Sequence, residues 1–262
     1  MATTVITGGT DGLGRALAAH LLREGQTVVV IGRDQAKFDG LAGAAHFISA
    51  DLRLVAENQR VVGEIKERFP VVDTLVLAAA YVHRTRVLTE EGLEHTFALY
   101  YLSRHLLAAG LLDVLEASDR PLILDTAVPG APRDAIHWDD FQLEHGFTWK
   151  AANLQSRRMG RLSGLRLSDR VRYVLYNPGF VRTSHQGALG RTSRKLVSLL
   201  ARTMGTPPEK AIVPMLDLIA NPPGSSLSAF MKSKQLPLST DDTDRAESER
   251  LYERTQLLLQ SV

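Results

Sequence analysis

The residues best placed to do chemistry stand at the head of the chain: Gly8, Gly12 and Gly14 in the run Val5-Ile6-Thr7-Gly8-Gly9-Thr10-Asp11-Gly12-Leu13-Gly14. A glycine at the end of a β-branched, apolar stretch lets the backbone turn sharply. A second lets it come close to a ligand, and a third lets the next helix pack tightly on the strand. Residues 15–22 carry apolar side chains at helical spacing, so the helix start, with its unpaired N–H groups, faces the same turn. With Thr10, Asp11 and Leu13 completing the loop, this order of parts is a cradle for a diphosphate. The spacing is Gly-x3-Gly-x-Gly, not Gly-x-Gly-x2-Gly, and a tight turn without ligand can carry the same letters. The context favours a cofactor site, because Thr27-Val28-Val29-Val30-Ile31-Gly32 supplies the second strand of a βαβ unit on schedule.

Arg33 follows that second strand, where the adenosine ribose of a dinucleotide would lie. A carboxylate there would hold a free 2′-hydroxyl, whereas an arginine pairs with a 2′-phosphate, so NADP is expected over NAD. Asp11 argues the other way, since its charge would repel a further phosphate.

The elements that must position these groups follow in regular alternation. Residues 45–48 read as a third strand ending at Asp51-Leu52, residues 57–69 as an amphipathic helix closed by Pro70, and residues 73–80 as a continuously apolar strand of the kind buried on both faces. A long helix is expected over 91–117, a strand over 122–127, an irregular connection over 133–147 and a helix over 150–167. A strand at 171–176 ends in Asn177-Pro178-Gly179. Residues 183–204 read as a basic, mostly helical excursion, and Thr206-Pro207-Pro208-Glu209 opens a further helix. A last strand covers 227–231, and an acidic segment leads into a terminal helix with Leu251, Leu257 and Leu258.

The 262 residues show no linker, repeat or low-complexity tract, so one α/β domain is expected. A net charge of +2 gives no case for nucleic acid. The arginines at 157, 158, 161, 166, 170 and 172, and again at 191 and 194 beside Lys195, read as solvated helix faces. The absence of cysteine excludes disulfides, thiolate catalysis and cysteine-held metals, and no metal site is expected. No apolar run approaches a membrane span and the first strand starts too early for a signal peptide, so a soluble, cytoplasmic protein is expected.

Taken together, Thr7-Gly8-x3-Gly12-x-Gly14, Asp51-Leu52, Asn177-Pro178-Gly179-Phe180-Val181-Arg182-Thr183 and Thr206-Pro207-Pro208-Glu209 resemble the short-chain dehydrogenase/reductase family, in its retinol-dehydrogenase-like branch. The resemblance covers essentially the whole chain. It implies a doubly wound Rossmann-type fold with a seven-stranded parallel sheet of order 3-2-1-4-5-6-7 and helices on both faces. It also implies that Asp51 and Leu52 meet the adenine, that Ala78, Ala79 and Ala80 border the cofactor, and that the stretch from Pro178 through Gly179 and Val181 to Thr183 holds the nicotinamide carboxamide. A homodimer through the helices around 99–115 and 150–167 is a further implication.

That family's chemistry uses a tyrosine as proton donor, a lysine four residues later that lowers its pKa, a serine that polarises the carbonyl and an asparagine in the proton relay. Here the serine pair falls on Thr126 and Ala127, and the asparagine on Tyr100. No tyrosine occurs between Tyr101 and Tyr173. Three registers for the tyrosine and lysine are open: Gly146 with Lys150, Asn153 with Arg157, and Thr148 with Ala152. The neighbours of Lys150 agree best, so Lys150, Thr126 and Tyr100 are the expected catalytic residues. Tyr81, His83, His137, His145 and His185 are further candidates near the pocket.

A cradle with degenerate catalytic groups admits three readings. The first is an NADP-dependent oxidoreductase acting on a carbonyl or alcohol with a non-standard proton donor, since a nicotinamide carries the hydride itself. The second is a non-redox cyclase, dehydratase or isomerase on the same scaffold, and the third a nucleotide-responsive binding protein. Trp138, Phe141, Phe147 and Trp149 point to a bulky or aromatic small-molecule substrate.

Overall fold

The computed structural model describes residues 1–39, 41, 45–81, 83–182 and 205–262. In chain order these form β1 (Thr3–Thr7), α1 (Gly12–Arg23), β2 (Thr27–Gly32), α2 (Gln35–Phe38), β3 (His46–Ser49), α3 (Val55–Arg68), β4 (Thr74–Leu77) and α4 (His95–Phe97). A widened, π-type turn (Ala98–Leu102) then leads into α5 (Ser103–Gly110), α6 (Leu112–Glu116), β5 (Leu122–Asp125), α7 (Trp149–Leu167) and β6 (Arg172–Asn177). After the excursion come α8 (Pro208–Ala211), α9 (Val213–Ala220), β7 (Leu227–Met231), β8 (Lys234–Leu236) and α10 (Asp242–Leu259).

The sheet has the order β3-β2-β1-β4-β5-β6-β7-β8. Every pairing from β3 to β7 is parallel, as expected, and the expectation of seven strands falls short by one. β8 is short and antiparallel, with Phe230 opposite Gln235. It is three residues long, with Lys234 and Gln235 exposed and only Leu236 partly buried, so it is too short to show an apolar alternation for a sequence reading to find.

Alternation divides the core in two. Val5, Val29, Ile31 and Leu75 join the cluster under α3 and α5, while Ile6, Val28, Val30 and Val76 join the one under α1, α8 and α9. Helix α1 buries Leu13, Leu17, Ala18 and Leu21, and Asp11 caps it by accepting from the Gly12 N–H at 2.7 Å.

The single helix expected over 91–117 is instead a broken run. Glu94 caps its start through the Thr96 and Phe97 N–H groups, the turn at Ala98–Leu102 widens, and the backbone leaves helical geometry at Leu111. The strand expected to reach residue 80 stops at Leu77. There the Thr7 hydroxyl takes the N–H groups of Ala78 and Ala79 at 2.9 and 3.0 Å, pulling both out of the ladder.

The expected solvated arginine face on α7 is also corrected. Arg158 is fully buried, bonded to Asp244 at 2.7 Å and Glu247 at 2.6 Å of α10, and Arg161 reaches Asp244 at 2.8 Å. These cations lost water to a partner helix that brings the matching acids. Helix α10 also meets the other face offered for a homodimer, through the Tyr101 and Thr255 hydroxyls at 2.5 Å. Arg191, Arg194, Lys195 and the whole 183–204 excursion lie outside the described residues. Among the described residues no helix is long and apolar enough to cross a membrane.

Candidate active site

A cavity of about 620 Å³ opens along the C-terminal ends of β1, β2, β4, β5 and β6. At these edges an open parallel sheet exposes strand ends and helix starts together. Gly8, Thr10, Asp11, Gly12, Leu13 and Gly14 form its floor, Arg33, Asp51 and Leu52 one end, Ala78, Ala79 and Ala80 the middle, and Pro178, Gly179 and Val181 the other wall. Every expected cofactor residue is therefore brought together except Thr183, which lies outside the described residues.

The glycines meet a demand of geometry. Gly8 has φ +68°, and a Cβ on it would lie 2.9 Å from the Ala79 Cα. On Gly14 it would lie 2.5 Å from the Gly8 carbonyl oxygen, closer than real Cβ atoms come. The loop is thus drawn under the sheet edge as closely as a backbone permits, and the start of α1 opens on the cavity. That cradle fits a dinucleotide diphosphate.

Arg53, which the sequence reading passed over, closes on Asp51. Its main-chain N–H donates to Oδ1 at 3.1 Å, its Nε to both oxygens at 2.8 and 3.0 Å, and its Nη2 to Oδ2. Burial pushes the Asp51 carboxyl up, but the hydrogen bonds and charge of Arg53, with Arg33 behind, outweigh it and hold the group below its ordinary value. An Asp-x-Arg turn was the available signal.

At the opposite end, Thr126 and Tyr100 line the cavity as expected, and Lys150 does not. Helix α7 starts one residue before Lys150, with the Thr148 hydroxyl capping the Ala151 N–H at 3.0 Å, so Lys150 stands exposed in the first turn. The next turn brings Asn153 to the wall. Arg157, one turn further, donates to the carbonyls of Val128 at 2.6 Å and Pro129 at 2.8 Å. Of the residues in the three registers, Asn153 is the one on the cavity wall, and the cap sets a helix phase that leaves Lys150 off it.

The chemistry of the wall follows from its donors. The Thr126 hydroxyl donates to the Leu77 carbonyl at 2.9 Å, so only its lone pairs are left for a ligand. The Tyr100 oxygen accepts from the Tyr81 main-chain N–H, leaving its proton available. Burial raises the Tyr100 pKa, and this outweighs the Arg104 charge and that hydrogen bond, so the phenol stays protonated at neutral pH.

Among the further candidates, Tyr81 lines the cavity and His83 meets its ring edge-on, the ring centres 5.0 Å apart. His137 and His145 are not on the wall, and His185 lies outside the described residues. The aromatic residues thought to border a substrate do not do so. Trp138 and Phe141 pack under α10, with Arg250 and Arg254 against their rings, and neither Phe147 nor Trp149 reaches the cavity. His95, Leu99 and Phe180 are wall residues that the sequence reading missed.

A family model for short chain dehydrogenase matches residues 2–131. Retinol dehydrogenase 13 of Homo sapiens is 29% identical over 211 residues, covering 72% of this chain and 63% of its own length. Dehydrogenase/reductase SDR family member 12 of Homo sapiens is 25% identical over 98% of this chain and 86% of its own. The chain spans about three fifths of the first curated relatives it matches, and more of others. Among solved structures, a short-chain dehydrogenase from Sphingobium yanoikuyae in complex with NADPH aligns with TM-score 0.63 at 18% identity, over 100% of this chain and 96% of that one. The 3-alpha-hydroxysteroid dehydrogenase from Pseudomonas sp. B-0831 complexed with NADH aligns with TM-score 0.66 at 22% identity, over 88% and 94%. At such identity these two speak for the fold. With the family model and the curated relatives beside the glycine cradle and the sheet order, the chain belongs to the short-chain dehydrogenase/reductase family.

Proposed function

We propose that the protein binds NADP(H) in this cavity and acts as an atypical oxidoreductase on a carbonyl or alcohol of a small molecule. The observation that carries the reading is the Gly8–Gly14 loop, packed to the limit of backbone contact under a cavity large enough for a dinucleotide. Arg33 at the adenosine end supports the phosphorylated form. A bound nicotinamide supplies the hydride.

The chain's own residues orient and polarise. Tyr100, protonated and held at its oxygen by the Tyr81 N–H, donates a hydrogen bond to the substrate oxygen and its proton to the alkoxide. Asn153 offers amide donors from the facing helix, and Thr126 only acceptors.

Titration with NADPH and NADH, followed by carbonyl turnover, tests the reading. NADPH is expected to bind more tightly, Arg33→Ala to remove that preference, and Tyr100→Phe to slow turnover by about 10²-fold with nucleotide affinity unchanged. Product formed at equal rate with and without nucleotide overturns it in favour of a non-redox enzyme. Nucleotide-dependent partner capture without substrate consumption overturns it in favour of a binding protein.

A further inference from the structure

His95 begins the helical run that carries Tyr100, on the side nearer Asp51. It is 2% exposed, and the surface it keeps lines the cavity. Its Nδ1 is buried without a hydrogen-bond partner, which native proteins rarely leave so. His83 meets it edge-on with ring centres 4.3 Å apart, and Tyr81 completes the cluster at 5.9 Å, so His95 and Tyr81 share that part of the wall with His83 against them.

The carboxylate the family resemblance assigned to the base is engaged elsewhere. Both Asp51 oxygens are bonded to Arg53. A purine arriving at this end must compete with a guanidinium for them, whereas the imidazole has no competitor to displace. Burial, His83, Arg53 and Arg33 lower the His95 pKa to about 4 against the opposing charge of Asp51, so the ring is neutral under ordinary conditions. Burial and the Arg53 charge lower His83 as well, against the opposing charge of Glu94. A neutral imidazole nitrogen donates or accepts one hydrogen bond according to its tautomer, and the adenine edge offers both a donor and acceptors to meet it.

On the reading that the cavity holds a dinucleotide, we propose that His95, backed by His83 and Tyr81, recognises the purine base by hydrogen bonding to its edge. Asp51 is left as the anchor of Arg53. The inference assigns a base contact to the helix after β4, separate from the hydride end at Tyr100 and Asn153.

Calorimetric titration with 2′,5′-ADP, NADPH and nicotinamide mononucleotide tests it on wild type, His95→Phe, His95→Asn and Asp51→Asn, with thermal melting as the check on folding. His95→Phe is expected to weaken 2′,5′-ADP and NADPH by about tenfold alike, leaving the mononucleotide unchanged. His95→Asn, which keeps a donor and an acceptor, retains most of the affinity, and Asp51→Asn loses less than His95→Phe. Wild-type affinity for 2′,5′-ADP in folded His95→Phe overturns the proposal, as does a larger loss in Asp51→Asn. Should His95→Phe not fold, an affinity in His95→Asn as poor for 2′,5′-ADP as for the mononucleotide overturns it instead. A wild type that binds neither NADPH nor 2′,5′-ADP removes the dinucleotide reading itself, and this proposal with it.

Discussion

The Arg104 guanidinium lies 5.3 Å from the centre of the Tyr100 ring, one turn along the same helical run, and it is ion-paired with the fully buried Asp125. Its Nη2 also donates to the Ala79 carbonyl at 3.2 Å. One cation therefore backs the phenol on the cavity wall and holds the Ala78–Ala80 stretch that lines its middle. Asp125 completes the arrangement by accepting from the Ala127 N–H at 2.9 Å and the Tyr173 hydroxyl at 2.7 Å.

Removing that cation leaves a carboxylate buried without its partner. Arg104→Met is expected to lower unfolding stability by about 3–5 kcal/mol, the usual cost of breaking a buried pair from one side. Nucleotide affinity should fall with it, because the Ala79 carbonyl loses its anchor. Arg104→Met with Asp125→Leu should recover part of the stability but not the affinity. Urea unfolding and NADPH titration give both quantities, and an unchanged urea midpoint in the single variant would show that the pair is not structural.

Acid should unfold the protein through two histidines. Burial, first, lowers both His95 and His105 to about 4, from an ordinary value near 6.5. Both are then neutral in the native state while the unfolded chain takes up protons below pH 6.5. The unfolded state binds more protons between those limits, so stability is full above about pH 6.5 and is lost as pH falls toward 4. Each group accounts for roughly 3 kcal/mol at the acid end of that window. His105→Gln, whose amide can still meet the Ser163 hydroxyl that His105 contacts at 2.9 Å, should flatten the slope by about half. An equally steep pH dependence in that variant counts against the assignment.

Gly14→Ala tests the cradle directly. The added methyl would meet the Gly8 carbonyl oxygen at 2.5 Å, and both atoms belong to backbone that cannot swing aside. The loop must shift, so NADPH binding should weaken at least tenfold even where the melting temperature moves by only a few degrees. Gly63→Ala, where the new methyl meets nothing within 4 Å, is the control expected to bind as wild type. Equal affinities in the two variants would refute the role given to the loop.

What could be read from the sequence divides along physical lines. The glycine turn was legible because backbone proximity admits only glycine at Gly8 and Gly14, and the buried parallel strands because β-branched runs such as Val28–Ile31 are apolar on both faces, while the sheet order came from the family resemblance. The placement of Trp138 and Phe141 was not, since an apolar side chain in a connection looks the same under a helix as beside a substrate. Arg158 misled for a similar reason: its partners Asp244 and Glu247 lie far along the chain, and a charge reads as solvated until its acid is found. Lys150 stands off the cavity wall for a reason of helix phase, which the Thr148 cap sets and local composition does not show.

The last test turns the corrected register into a gain. Asn153 lines the cavity, and Arg157 one turn later is held by the Val128 and Pro129 carbonyls. These are the positions at which a tyrosine and a lysine would restore the pair that the family resemblance calls for, while Ala127, where the resemblance puts the serine, is buried in the core and off the cavity wall. Asn153→Tyr with Arg157→Lys should therefore raise NADPH-dependent carbonyl turnover by about 10²-fold or more, the ordinary worth of a positioned acid. The new phenol, backed by a lysine, should also bring a rate that falls as pH rises through its lowered pKa, whereas wild type, on the proposal that Tyr100 is the donor, should keep a flat profile near neutrality because burial raises that phenol. The same substitutions moved to the rejected register, Gly146→Tyr with Lys150 kept, should gain nothing, because Gly146 and Lys150 are exposed and away from the cavity. Turnover and its pH profile in the two variants decide between the registers, and a gain confined to the Gly146 variant would reverse the assignment made from Asn153.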